Sequence, residues 1–383
     1  MDEPSLAKLA ESLRAESLRL GFALVGIAPA VEPTGYGQLQ RWLESGYAGE
    51  MNYFERRREA YSHPRHVLDG VRSLVLLGLD YNTGLEGCSE PGQGRVSRYA
   101  WGSVDYHDLI WGKLDALQEW LAEKAPGASS RGVVDTAPLL EREFAQLAGL
   151  GWRGKNTLLI NPQRGSYFFL AALLTDLSLP CDPVFTADHC GTCRRCLDAC
   201  PTGAFPEPYL LDATKCISYL TIELRSEVPE SLRPGLGDWL LGCDICQEVC
   251  PWNRFTRIAD EPGFLPRQDA GLEDLETLLG LSEGEFRARF RNTPLWRPRR
   301  RGILRNAAII LGNQRHVPAL KALCRALQDE EELIRGAAAW ALGQLGGEQA
   351  RAALRARLPQ ESATQVRTEI ERALEAASAE IAE

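Results

Sequence analysis

The chain has 383 residues, 44% hydrophobic and 25% charged, with a net charge of −9. This is the composition of an ordinary globular protein with room for two or three domains, and it argues against a wholly basic nucleic-acid binder. No apolar run is long enough to span a bilayer. The opening Met-Asp-Glu-Pro lacks the basic and apolar regions of an export signal, so a cytoplasmic address with reduced thiols and no membrane partner is expected.

Residues 5–20 read as an amphipathic helix, with Leu6, Leu9, Leu13 and Leu20 set among Lys and Arg. Gly21-Phe-Ala-Leu-Val-Gly-Ile-Ala28 reads as a buried strand. A short helix over Gln38–Gly46 precedes a segment with three adjacent arginines, Arg56, Arg57 and Arg58. Such a run is either a solvated face or, in part, a contact for a cofactor bearing amides and a phosphate. Ser73-Leu-Val-Leu-Leu-Gly-Leu-Asp80 is almost continuously apolar, the pattern of a strand buried on both faces. Asp105 is the expected N-cap of a helix running to Glu123. Asp105-Tyr-His107 starts like a cobalamin-binding D-x-H-x-x-G motif, but Ile110 stands where that motif needs Gly. His107 is therefore expected at the surface of the helix start, not as a cobalt ligand. Arg131-Gly-Val-Val-Asp135-Thr-Ala-Pro138 reads as a strand ending in a polar loop, followed by a helix over Leu139–Leu147. Gly151-Trp-Arg-Gly-Lys-Asn156-Thr157 is a glycine-punctuated turn, and Leu158–Ile160 and Tyr167–Leu174 are apolar strands. Helices alternating with strands over 1–180 indicate a layered domain.

Eight of the eleven cysteines lie between Cys190 and Cys250. Cys190, Cys193, Cys196 and Cys200 are spaced C-x2-C-x2-C-x3-C-P, the bacterial ferredoxin run in which the fourth Cys ligates the other cluster. Cys243, Cys246 and Cys250 form a second run, completed by Cys216 at a longer spacing. Applied here, Cys190, Cys193, Cys196 and Cys250 hold one [4Fe–4S] cluster, and Cys200, Cys216, Cys243 and Cys246 the other. Two structural zinc sites have no need of the third Cys or the Cys-Pro ending. A disulfide framework belongs to small secreted chains. Cys88, Cys181 and Cys324 are expected as ordinary packed or surface thiols.

A Pro/Gly-rich acidic connector near 258–272 leads to a helical end with a weak internal repeat. Leu304-Arg-Asn-Ala-Ala-Ile-Ile-Leu-Gly312 resembles Ile334-Arg-Gly-Ala-Ala-Ala-Trp-Ala-Leu-Gly343, and a third copy starts at Val366-Arg367. That spacing suggests a HEAT-like helical stack. Arg297, Arg299, Arg300 and Arg301 precede the first copy, with Arg305 one turn on. The residues alone leave two readings of this cluster open, a solvated face or phosphate contacts with a nucleic acid.

Taken together, the motifs resemble the epoxyqueuosine reductase family, cobalamin-dependent iron–sulfur enzymes of tRNA modification. The carrying residues are Arg98-Tyr-Ala-Trp-Gly-x-x-Asp-Tyr-His107, Val134-Asp-Thr-Ala-Pro-Leu-Leu-Glu-Arg142, Gly151–Thr157, both cysteine runs, Asp238–Asn253 and Leu304–Asn313. The resemblance covers nearly the whole chain. It implies an α+β fold with three regions. Residues 1–182 form a layered α/β cobalamin-binding domain of nitroreductase/reductive-dehalogenase type, 183–258 a ferredoxin-like two-cluster module, and 259–383 helical HEAT-like repeats that bind tRNA.

The implied reaction is removal of the epoxide oxygen of epoxyqueuosine at the tRNA wobble position, the last step of queuosine synthesis. Electrons come from an unidentified low-potential donor and pass through two [4Fe–4S] clusters to cobalamin, which has no protein His ligand. Asp135 matches the family's proton donor, and Val133, Val134, Pro138 and Leu139 are expected to bury it and raise its pKa. Arg57, Tyr99, Asp135, Asn156, Thr157, Ser218, Cys243 and Asp244 are implied neighbours of the corrin. Arg297, Arg299, Arg300, Arg301 and Arg305 are implied to grip the tRNA, and a monomer is expected. Two readings compete: a small-molecule corrinoid reductase of dehalogenase type, and a non-enzymatic ferredoxin-like electron carrier.

Overall fold

The computed structural model describes residues 2–84, 89–266 and 271–379; Cys88 lies outside them. The chain divides into two compact units, each assembled from separated stretches. The first comprises Met1–Gly84, Gly102–Ala213 and Ile245–Leu265, and the second Leu85–Trp101, Thr214–Asp244 and Pro266–Glu383. Among the described residues no helix is long and apolar enough to cross a membrane.

The first unit is organised by the strand Ser73–Asp80, every residue of which is buried. Its run of Leu and Val suits a pleated surface covered on both sides. It pairs with Leu24–Pro29, placing Ala28 opposite Leu74, and with Phe168–Thr175, placing Leu174 opposite Leu74. Ser130–Val133 pairs with the outer side of Phe168–Thr175, completing a four-stranded antiparallel sheet. Leu74 and Leu76 pack into a core with Phe144, Ala145 and Ala148 of the helix Glu141–Leu147 and its end. Gly26 lets that helix end close in, because a Cβ there would sit 2.2 Å from the Ala148 carbonyl oxygen. The helices Glu3–Arg19 and Tyr106–Lys124 bury Leu13, Ile110, Leu114 and Leu117, which lie outside that cluster. Truncating a leucine at this depth costs about 2–5 kcal/mol. Asp105 is the N-cap of Tyr106–Lys124, its carboxylate accepting the His107 backbone N–H.

In the second unit a three-stranded mixed sheet joins distant segments, with Gln93–Val96 between Trp239–Leu241 and Leu272–Asp274. Most of the rest is helical, and its last five described α-helices are Arg299–Asn313, Leu320–Ala326, Glu332–Leu345, Gly347–Arg357 and Thr364–Ala379. The repeated small residues permit close helix approach. A Cβ on Gly312 would meet Trp340 at 2.6 Å, and one on Gly343 would meet Ala373 at 2.8 Å.

The repeated arginine faces inward in each copy. Arg305 is 1% exposed and donates to the carbonyls of Leu220, Leu224 and Ser226. Arg335, also buried, donates to Asp329 and Glu330 carbonyls and pairs with Glu361. Arg367 reaches the carbonyls of Leu358 and Glu361. A guanidinium with five donors can close several orphaned carbonyls at once, which explains its place in the repeat.

Candidate functional site

Four of the predicted cluster ligands meet inside the first unit. Cys190, Cys193, Cys196 and Cys250 line one cavity of ≈ 40 Å³ together with Lys155, Trp252 and other residues. The loop Cys190–Cys196 turns tightly enough for the Cys193 N–H to bond the Cys190 carbonyl, and the short helix Arg195–Asp198 follows. Cys250 arrives after the short helix Ile245–Glu248. Asn253 braces that return, accepting the Ser166 N–H at 2.7 Å and donating to the Gln247 carbonyl at 2.7 Å. Lys155 ties down the loop through the carbonyls of Gly191 and Cys193.

The donor set fits an iron–sulfur cluster. The Cys196 thiol is pushed up to about 11, first by burial and then by its neighbours Cys190 and Cys250. Burial also pushes the Cys250 thiol up, with Cys190 and Cys193 adding to it. Thiols packed this closely resist joint ionisation, and cluster iron relieves that cost. Among the described residues no three His, Cys, Asp or Glu side chains converge on a point suited to a single metal ion; these four thiols share a cavity instead. Trp152 donates its indole N–H to Cys190 Sγ at 3.5 Å. Its ring meets His189 and Trp252, forming an aromatic wall beside the thiols.

The other four predicted ligands are distributed over the chain. Cys200 accepts the Ala204 N–H in the first unit, where Cys246 lies on the short helix Ile245–Glu248. In the second unit Cys216 is the N-cap residue of Ile217–Ile222, and Cys243 follows Trp239–Leu241 after Gly242 at φ 71°. The described cysteines form no disulfide, and Cys181 is exposed while Cys324 is partly buried.

Asp135 sits on the loop after Ser130–Val133, and its surroundings differ from the expected apolar setting. Its side chain is 46% exposed. The apolar neighbours Val133, Val134 and Leu139 turn into the core instead. Polar partners take their place. Tyr106 Oη donates to Asp135 Oδ2 at 2.5 Å, and His107 Nε2 lies 2.9 Å from Oδ1. His107 Nδ1 lies 2.7 Å from Asp105 Oδ1. His107 is thus not a plain surface residue of the helix start, as sequence suggested, but a half-buried ring between two carboxylates. Burial lowers its pKa, yet hydrogen bonds and charge from Asp105 and Asp135 outweigh this and hold it at about 9. Asp105 is lowered overall: burial raises it, and the bonds to His107 prevail. Tyr106 stacks on His107 at 4.0 Å and on Phe169 at 4.2 Å. Sequence reasoning missed this grouping because the contact spans 28 residues.

Of the three adjacent arginines, Arg57 is the one tied to the Asp135 loop, donating to the Thr136 carbonyl at 2.7 Å. Arg58 pairs with Glu44 and Glu55 instead. Two other expected cofactor neighbours have structural work. Asn156 is 4% exposed, its amide N directed to the Cys246 carbonyl and its Oδ1 accepting the Leu158 N–H. Asp244 is 1% exposed and accepts from the Ser97 hydroxyl and the Arg98 N–H. Both side chains brace loops, and Asn156 also lines the cavity of the four thiols. Thr157 takes φ 67°, a strained value for a β-branched residue. Tyr99 and Ser218, in the second unit, are partly buried.

The arginine cluster separates into two kinds. Arg297, Arg299 and Arg301 are exposed. Arg297 pairs with Glu223, and Arg299 lies over the Trp296 ring at 4.2 Å. Arg225, which sequence reasoning missed, donates to the Arg297 carbonyl. Burial lowers its pKa, and although Glu223 opposes this, Arg297, Arg301 and Arg299 lower it further. Arg300 and Arg305 do not belong to this face. Arg300 is committed to Asp329 and the Leu281 carbonyl, and Arg305 is enclosed as described above.

Comparison with known proteins places these features together. Residues 189–253 match a 4Fe-4S double cluster binding domain, and residues 300–375 match HEAT repeats. Residues 62–136 match the family model "Epoxyqueuosine reductase QueG, DUF1730". The chain is 43% identical to an epoxyqueuosine reductase of Pseudomonas aeruginosa, over 90% of this chain and 97% of that one. It is 39% identical to one of Escherichia coli K12, over 90% and 92%. A crystal structure of epoxyqueuosine reductase with an epoxyqueuosine-modified tRNA-Tyr stem loop superposes with TM-score 0.91 at 31% identity, covering 97% of this chain and 99% of that one. A Bacillus subtilis epoxyqueuosine reductase, with a catalytic aspartate loop swung out of its active site, gives TM-score 0.89 at 31% identity, covering 96% and 99%.

Proposed function

The chain belongs to the epoxyqueuosine reductase family, and from that premise we propose that it reduces epoxyqueuosine to queuosine at the wobble position of tRNA, in the cytoplasm and as a monomer. The observation that carries the reading is the cavity lined by Cys190, Cys193, Cys196 and Cys250 in a chain with the double-cluster domain. Deoxygenation of an epoxide needs two electrons, and a cluster relay delivers them singly from a low-potential donor.

Cys190, Cys193, Cys196 and Cys250 hold one cluster. Spacing alone assigns Cys200, Cys216, Cys243 and Cys246 to the other. Cobalamin, when bound, supplies a strongly reducing cobalt centre for the carbon–oxygen bonds. Arg57, Tyr99, Asp135, Thr157, Ser218 and Cys243 are its proposed neighbours, with Asn156 and Asp244 shaping the loops that carry them. Both carbon–oxygen bonds of the epoxide break, two protons join the oxygen, and water leaves behind an alkene. Asp135 passes a proton to that oxygen. Its place on an exposed loop supports this role, as does the catalytic aspartate loop of a structural relative.

The tRNA is gripped by Arg225, Arg297, Arg299 and Arg301. Their grouped positive charge suits phosphates, and unpaired bases of the anticodon loop are read by stacking and edge contacts. A relative has been solved with a modified tRNA stem loop, which fits this reading.

The test is anaerobic reconstitution with iron, sulfide and cobalamin, followed by mass analysis of nucleosides from tRNA carrying epoxyqueuosine. Conversion should require cobalamin and fall at least a hundredfold in Asp135→Asn, within the range of a lost general acid. No conversion by a chain with filled clusters and bound corrin would point to a small-molecule substrate instead.

A further inference from the structure

Asp135 is held in a way that a proton donor acting alone would not be. Tyr106 Oη–H donates to one carboxyl oxygen at 2.5 Å, and His107 Nε2 faces the other at 2.9 Å. A hydroxyl donor on one oxygen and a ring nitrogen able to donate to the other suit a carboxylate. Before Asp135 can give a proton to an epoxide, it must receive one.

His107 is the group placed to supply it. Nε2 faces Asp135 and Nδ1 faces Asp105 at 2.7 Å, while the His107 backbone N–H also donates to Asp105 Oδ1 at 3.0 Å. A neutral ring would turn one nitrogen lone pair toward a carboxylate oxygen. Both contacts become attractive only when both nitrogens carry hydrogen. Tyr106, stacked between His107 and Phe169, fixes the plane of the ring.

We propose that His107 holds the proton that Asp135 delivers to the epoxide oxygen, and that Asp105 positions the ring for it. This rests on the reductase reading above. The His107 Nε2–H bond breaks as Asp135 Oδ1 takes the proton, and that O–H bond breaks as the epoxide oxygen takes it in turn. The second proton comes from solvent. The two electrons come from an external low-potential one-electron donor through the clusters. The oxygen departs as water, the carbon–carbon double bond forms, and His107, 31% exposed, regains a proton from solvent.

The ring's charged surroundings agree. Besides Asp105 and Asp135, Glu141 lies within electrostatic reach of Asp135; burial raises its carboxyl most, and the Asp135 charge adds to this. Arg142 opposes that rise, and Arg57 anchors the loop through the Thr136 carbonyl. The resulting pKa of about 9 keeps His107 charged at neutral pH.

The experiment uses the full-length, reconstituted protein in single turnover with excess titanium(III) citrate between pH 6 and pH 10. Wild type should convert at a constant rate up to about pH 9 and decline above it. His107→Gln keeps a side-chain N–H toward Asp135 but has no proton to give. Its rate should be at least tenfold lower at pH 7.5 and rise as pH falls, because solvent must then protonate Asp135 directly. Asp105→Asn should move the alkaline decline to lower pH. A His107→Gln rate lowered equally at every pH marks a structural role and overturns the proposal, as does a wild-type profile in the variant. Nitrogen-15 titration of labelled histidine, assigned with His107→Gln, gives a readout independent of turnover. A ring titrating near the ordinary 6.5 overturns the proposal. A chain that leaves epoxyqueuosine untouched while His107 still titrates near 9 overturns the reductase reading, and with it the ring's catalytic use.

Discussion

Replacing Arg305 by alanine separates structural arginines from those proposed to bind tRNA. The side chain is 1% exposed, and its guanidinium serves the carbonyls of Leu220, Leu224 and Ser226 as well as Asn306 Oδ1. Each buried carbonyl left without a donor costs about 1–3 kcal/mol. Ser226 is exposed at the surface, so water can reach its carbonyl and the lower end applies there. The net expectation is a loss of about 3–5 kcal/mol from the second unit, in the tail reserved for broken buried networks. For a unit of this size about 1 kcal/mol moves a melting point by about 2–4 °C, so the loss reads as roughly 6–20 °C. The assay is anaerobic melting followed by near-ultraviolet circular dichroism, run beside binding of an anticodon stem-loop at several salt concentrations. Arg301→Ala, on the exposed face, should change stability by less than about 0.5 kcal/mol but reduce the salt slope by about one. If Arg305→Ala melted like wild type and instead lowered the salt slope, the assignment of Arg305 to the interior would be wrong.

Trp152→Phe removes the N–H bond to Cys190 Sγ and keeps most of the aromatic wall. Losing about 1 kcal/mol of preference for the more negative cluster should lower its potential by about 40 mV, read by a redox titration monitored by electron paramagnetic resonance. Cys250→Ser should halve the iron bound, from about eight to about four atoms per chain, if each set of four thiols loads separately; unchanged iron would remove Cys250 from the ligands. The Glu361 carboxyl is held at about 2 against an ordinary 4.5, chiefly by its bond to Arg335. A lowered carboxyl stabilises above its unfolded value and loses that contribution as pH falls toward the folded one. Glu361→Gln should therefore cost up to about 3 kcal/mol at pH 7. The gap to wild type should close between about pH 4.5 and pH 2. A gap that stays constant with pH would sink the argument.

What was legible in the sequence had a chemical or periodic signature. Thiol spacing grouped Cys190, Cys193, Cys196 and Cys250, which line one cavity, because four sulfurs around one cluster would leave few permitted separations. Ser73–Asp80 was recognisable because a strand covered on both faces has no reason to alternate. The helical repeat was visible through Gly312 and Gly343, where helices approach too closely for a side chain. Long-range polar geometry was not legible. Nothing local distinguishes Arg305 from Arg301, although one is enclosed and the other exposed. Asp135 was placed in an apolar setting because its sequence neighbours are apolar, but those side chains turn inward while Asp135 turns out. Boundaries drawn along the chain at 182 and 258 follow motifs. Each compact unit draws on separated stretches of the chain, because strands such as Gln93–Val96 pair with segments more than a hundred residues away.

The first helical repeat also has a thermodynamic consequence for metal loading. Arg305 and Asn306 grip the backbone at Leu220, Thr221, Leu224 and Leu240. Those residues flank Cys216 and Cys243, two proposed ligands of one cluster. If Cys216 and Cys243 hold iron as proposed, whatever orders these two thiols also favours the helix packed beside them, and iron–sulfur occupancy and folding of the helical stack are then linked equilibria. Filling the cluster should slow amide exchange as far away as Arg299–Asn313, and unfolding that helix should weaken the hold on iron. The helical stack would thereby act as a keystone for cofactor retention.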